Sequence, residues 1–150
     1  MAEKSLSEQL FEEQKEATRA RDRFRLSVIR MLRSELQNSA IAKRAPLDAE
    51  EELAVLTREV KKRQESMGDY QKANRQELLD DLKREIEILK KYLPEQLSEE
   101  ELEKMVEAAI AETGADTSRD MGKVMGLLMP RVKGKADGSI VRRLVEEKLQ

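Results

Sequence analysis

The segment Arg131-Val-Lys-Gly-Lys-Ala-Asp-Gly138 concentrates the residue types best suited to holding a phosphate. Glycines at 134 and 138 let a backbone approach an oxyanion closely, and the lysines at 133 and 135 supply mobile point charges beside it. The same residues also suit an ordinary interhelical turn, in which Gly134 and Gly138 take positive φ and Asp137 caps the following helix. Residue types alone leave these two readings level. A P-loop is excluded, because the run GxxxxGK followed by Ser or Thr, and the strand before it, are both missing.

Charge gathers in three further places. Positions 19–33 hold six arginines (19, 21, 23, 25, 30 and 33) against one acid, Asp22, a net of +5. The favoured reading of this run is a solvated helix face whose charges pair with glutamates on neighbouring helices. Arg30 follows Ile29 on the flank of an apolar stripe, where a long side chain can lie along an interhelical groove, either to bind or simply to pack. Positions 95–112 carry seven glutamates and only Lys104, whereas 119–143 carry seven bases and two acids. The C-terminal part is thus read as electrically polarised, able to turn a basic side toward a polyanion although the whole chain carries only −2.

Other clusters point to structure. Met121, Met125 and Met129 recur every four residues, the spacing of flexible core packing. Glu99, Glu100 and Glu101 lack the alternating loop oxygens of a calcium site and suit a helix N-terminus, where the dipole favours acids. With no Cys and no His, thiolate chemistry, imidazole base catalysis and the usual zinc sites are ruled out. The expectation is a chain with no cofactor and no catalytic centre of its own.

These groups must be positioned by helices. Charged residues make up 40% of the 150-residue chain and aromatics 3%, a composition that suits narrow apolar helical stripes and starves a pleated sheet. Ser5 with Glu8 has the capping-box pattern and opens a helix over about 5–20. Asp22 caps a second, with the stripe Leu26, Ile29, Leu32, Leu36 and Ala40, ending near Pro46. Asp48 with Glu51 opens a third through Leu53, Leu56, Val60 and Met67, running past Tyr70, and Leu78, Leu82, Ile86, Leu89 and Leu93 mark a fourth that stops at Pro94. A new capping box, Ser98 with Glu101, begins three shorter helices. Their stripes are Leu102, Met105, Val106, Ala109 and Ile110, closed by Gly114, then Met121 to Leu128, capped by Thr117 or Ser118 and bounded by Pro130, then Ile140, Leu144, Val145 and Leu149. The predicted fold class is all-α, an N-terminal helical hairpin or bundle unit over 1–94 and a compact three-helix tail module over 95–150. No signal-peptide h-region follows Met1, and no stretch approaches ~18 uninterrupted apolar residues, so a cytoplasmic protein without a membrane partner is expected.

Three runs, Arg25-Leu-Ser-Val-Ile-Arg-Met-Leu32, Tyr92-Leu-Pro-Glu-Gln-Leu97 and the stretch from Met121 to Gly138, resemble the GatB/YqeY family across nearly the whole chain. The third is the most specific, since it fixes glycine, methionine, proline and lysine at offsets that helical periodicity does not demand. The resemblance implies a C-terminal module similar to the tail of GatB, a subunit of the tRNA-dependent amidotransferase, where the tail helps hold the tRNA. It implies an accessory tRNA-binding protein in which Lys123, Arg131, Lys133 and Lys135, with Gly134 and Gly138, meet phosphates, and Arg30 is a further candidate. It leaves open a second reading, a module docking on an amidotransferase, an aminoacyl-tRNA synthetase or another partner. A carbon-nitrogen ligase activity with glutamine as amido donor follows by family association only, and no recognition of DNA sequence is expected.

Overall fold

The computed structural model describes residues 4–150. Among them the fold is wholly helical: α1 (Leu6–Arg19), α2 (Arg23–Lys43), α3 (Ala49–Lys72), α4 (Gln76–Lys90), α5 (Glu99–Thr113), α6 (Met121–Val132) and α7 (Gly138–Lys148), with one 3-10 turn (Ser118–Asp120) before α6. No helix there is long and apolar enough to cross a membrane. The chain divides into two compact units, Met1–Leu93 and Pro94–Gln150.

Local chemistry explains most helix starts. Asp48 and Ser98 each form a complete capping box, with Glu51 and Glu101 returning the bond to the capping residue's N–H. Asp22 accepts from the Arg25 N–H, and Thr117 caps the 3-10 turn that leads into α6. At α1 only half of the expected box forms: the Ser5 hydroxyl accepts from the Glu8 N–H, but Glu8 does not reciprocate. The Leu6 and Ser7 N–H groups are instead claimed by Glu52, from α3.

Helix ends share one device. At α1, α2, α3 and α5 a left-handed residue (Arg21, Arg44, Asn74 or Gly114) lets paired bonds close on the last turn, as where Arg44 N–H donates to Ile41 O and Ala45 N–H to Ala40 O. Only one of the four is glycine. A left-handed L-residue costs about 1–2 kcal/mol, and glycine loses about 0.5–1 kcal/mol more chain entropy on folding. Arg44→Gly is therefore expected to raise stability by about 0.5–1 kcal/mol, seen as a higher urea midpoint at unchanged slope. A lowered midpoint would mean that the exposed Arg44 side chain contributes more than its backbone costs.

In the first unit α1 pairs with α2 and α3 with α4, and α2 also packs against α3 and α4. Serving three neighbours requires a wider apolar face than one stripe, which is why Val28 is buried beside Ile29, Leu32 and Leu36 while Leu26 and Ala40 of the expected stripe are only partly covered. In the second unit α5, α6 and α7 all touch one another around Val106, Val124, Leu128, Val132, Val141 and Val145. Met121, Met125 and Met129 pack on this cluster, as their spacing predicts.

Three expectations need correction. Pro130 does not bound the sixth helix, which continues to Val132. Proline removes the N–H that would reach the Gly126 carbonyl, but both residues are exposed there, so water can serve the freed carbonyl and the loss is tolerable in the last turn. In α7, Leu144, Val145 and Leu149 of the expected stripe are buried, but Ile140 is exposed and Val141 takes its place. Gly138 takes no positive φ: it opens α7, and a Cβ placed on it would lie 3.5 Å from Met129 Cε.

Candidate functional site

α6 ends at Val132, and the chain leaves helical geometry at Lys133. The turn that follows is closed from within by Lys135 N–H to Val132 O (2.8 Å) and Ala136 N–H to Val132 O (3.1 Å), with Gly134 at φ 76°. It is also braced from outside. Leu97 N–H donates to Lys135 O at 2.9 Å, and the Gln96 amide donates to Gly134 O and Pro94 O, both at 2.7 Å. The two runs 92–97 and 121–138 therefore meet, with segment 94–97 fixing the loop's inner carbonyls. On the outer side Lys133 and Lys135 are exposed, and neither ammonium meets an acid among the described residues. Asp137 caps α7 through the N–H and hydroxyl of Ser139. The brace by Gln96 and Leu97 is not visible in residue types or periodicity; only the family resemblance of the run 92–97 draws the eye to it.

The family model for Yqey-like protein matches residues 7–149, taking in both runs. The chain belongs to the YqeY-like family. No curated protein matches it.

In this YqeY-like chain the other candidate cations are differently placed. Lys123 is highly exposed and lies 3.9 Å from Asp120 one turn away. The Asp120 carboxyl is held below the usual range chiefly by the backbone N–H groups of Asp116 and Thr117, with Lys123 a lesser influence. Arg131 pairs with Glu112 of α5 at 2.9 Å. Further α5 acids are matched too, Glu99 by Arg143 (3.0 Å) and Glu107 by Lys148 (3.0 Å). The acidic and basic segments thus interlock across α5, α6 and α7, which tempers the polarisation expected from their order in the chain.

Arg30 belongs to the first unit. The arginine run there is also only partly paired: Arg25 meets Glu13 at 3.0 Å and Glu16 at 4.0 Å, while Arg33 donates to the Gln14 side chain and stacks 5.2 Å from the Phe11 ring centre. Arg19, Arg21, Arg23 and Arg30 are exposed and meet no acid among the described residues. The Tyr92 hydroxyl donates to Glu13 at 3.2 Å, and its phenol is pushed up to about 12, first by burial and then by the Glu13 charge. Tyr92, just past α4, thereby ties the end of the first unit to α1.

Proposed function

We propose that this YqeY-like protein is an accessory tRNA-binding module that holds phosphates on its C-terminal basic loop. The observation that carries the reading is the pair of exposed lysines, Lys133 and Lys135, flanking Gly134 on a turn whose inner face is pinned by Gln96 and Leu97. A pinned turn spares the backbone's ordering entropy on binding, although the lysine side chains stay mobile. The similarity to a tRNA-holding tail supports the choice of polyanion. Lys123 and Arg131 take part as secondary contacts, since each must share itself with Asp120 or Glu112. Gly134 gives the backbone its close approach, and Gly138 serves the loop by starting α7 against Met129.

Residues 94–150 contain no Phe, Tyr or Trp, so base stacking on rings is not open to this unit and its contacts fall on phosphate and sugar. Affinity should then be salt-sensitive and similar for different tRNAs. Lys133→Ala with Lys135→Ala is expected to weaken binding of unrelated tRNAs alike and to flatten the salt dependence of log K by roughly 0.7–0.9 for each phosphate no longer neutralised. Helical content should not change, because both side chains are exposed on a turn. A double variant that binds tRNA like the parent at every salt concentration refutes the reading and favours docking on an amidotransferase, synthetase or other protein.

A further inference from the structure

We infer that the N-terminal unit carries a separate binding site for a small oxyanion-bearing molecule, its phosphate or carboxylate received by Arg30 and Arg33. Residues of α1 and its cap (Ser5, Ser7 and Gln14), the later turns of α2, the loop into α3 and Glu52 line a cleft of about 660 Å³, with Leu36 and Leu47 among its apolar lining. That volume lies within the ~300–1,000 Å³ of small-molecule sites. Along α2 the residues at 30, 33, 34 and 37 fall on one helical stripe, and all four line the cleft.

The hydrogen-bonding inventory of the cleft sets the ligand class. Its one lining acid, Glu52, is already engaged, accepting from Leu6 N–H (3.2 Å), Ser7 N–H (3.0 Å) and the Ser7 hydroxyl (3.0 Å). Against it stand two guanidinium groups with no carboxylate partner among the described residues, and the Ser34 hydroxyl and Gln37 amide make no hydrogen bond there. A cleft with surplus donors and surplus positive charge takes a ligand rich in acceptors and negatively charged. Arg33 is held in place by Gln14 and by the Phe11 ring, so one fork is pre-oriented, while the exposed Arg30 is free to close from the rim. Paired guanidiniums one turn apart match an oxyanion better than a point charge would.

The test is amide and arginine Nε–Hε chemical-shift titration of the full chain with inorganic phosphate and, separately, with acetate. Saturable shifts are expected at Arg30, Arg33, Ser34 and Gln37, and the tighter of the two ions identifies the headgroup. Arg30→Ala should weaken the preferred ion by about tenfold or more, the loss of a charge-assisted hydrogen bond. Gln37→Glu, which sets a carboxylate in the cleft while leaving the core packing in place, should weaken it at least as much. Arg142→Ala on α7 and the Lys133/Lys135 double variant should leave it unchanged, so this site and the RNA-binding loop stand or fall separately. No saturable shift with either ion overturns the inference, as does binding indifferent to both cleft variants. Loss of tRNA affinity on Arg30→Ala with phosphate and acetate binding unaltered also overturns it, making the cleft an RNA surface.

Discussion

Arg63→Ala is expected to remove about 3–5 kcal/mol from the stability of the N-terminal unit, because it leaves a buried carboxylate without its counter-charge. Glu59 is 3% exposed. The Arg63 guanidinium sits 3.0 Å from its carboxylate and 3.2 Å from that of Glu85 on α4, and also donates to the Glu59 carbonyl at 3.0 Å. Arg63 thus joins α3 to α4 at the point where an acid faces the core. Burying such a pair gains little over an apolar pair, but breaking it is costly. Glu59→Leu with Arg63→Met should therefore lie within ~1–2 kcal/mol of the parent, and the double-mutant cycle should show strong coupling. Tyr70 and Tyr92 are the chain's only tyrosines, with Trp absent, so tyrosine fluorescence during urea unfolding reports this unit alone. A single-variant loss below about 1 kcal/mol, the value of a solvated pair, would show that water reaches Glu59.

This network illustrates what the sequence made readable. Helix starts at Asp22, Asp48 and Ser98 were legible because capping is decided within four residues, and the all-helical class because stripes spaced three and four recur throughout. The buried faces were less so. Val28, Leu79 and Val141 lie next to the positions that the stripes favoured, since which of two adjacent apolar residues points inward depends on how many helices surround the element. At the loop, Lys133 and Lys135 were readable as charges near glycine, but their freedom from acids could not be, nor could the engagement of Arg131 by Glu112, 19 positions earlier. The brace from Gln96 and the turning of Glu52 toward α1 are likewise tertiary facts, between residues far apart in the chain and ordinary in type. The arginine run taught the converse lesson: charge density favoured a solvated face paired with neighbouring glutamates, and among the described residues only Arg25 of the six meets glutamates.

Glu52, the other buried acid of the first unit among the described residues, should prove nearly as consequential. Its two oxygens accept the N–H groups of Leu6 and Ser7, the first two residues of α1, from a position 45 and 46 residues away, while Ser5 takes the third N–H. It is a long-range cap, which satisfies orphan donors and sets a negative charge on the positive end of the helix. Glu52 is 5% exposed, so these bonds are sheltered from water. Glu52→Ala strands two backbone donors and opens a gap against α1, and the expected loss is about 2–4 kcal/mol, from charge-assisted bonds of about 1.5–3 kcal/mol each, less what water recovers. Glu52→Gln keeps one acceptor oxygen but turns a donor toward the Ser7 N–H and hydroxyl, so roughly half that loss is expected. Glu50→Ala, on the same turn of α3 but exposed, should change stability by less than about 0.5 kcal/mol. Hydrogen exchange locates the effect: in Glu52→Ala the amides of Leu6, Ser7 and Glu8 should exchange faster while those of Asp48 and Glu51, held by their own capping box, should not. Unchanged exchange at Leu6 and Ser7 would show that the cap is dispensable and that packing of Leu10 and Ala17 alone holds α1 on α2.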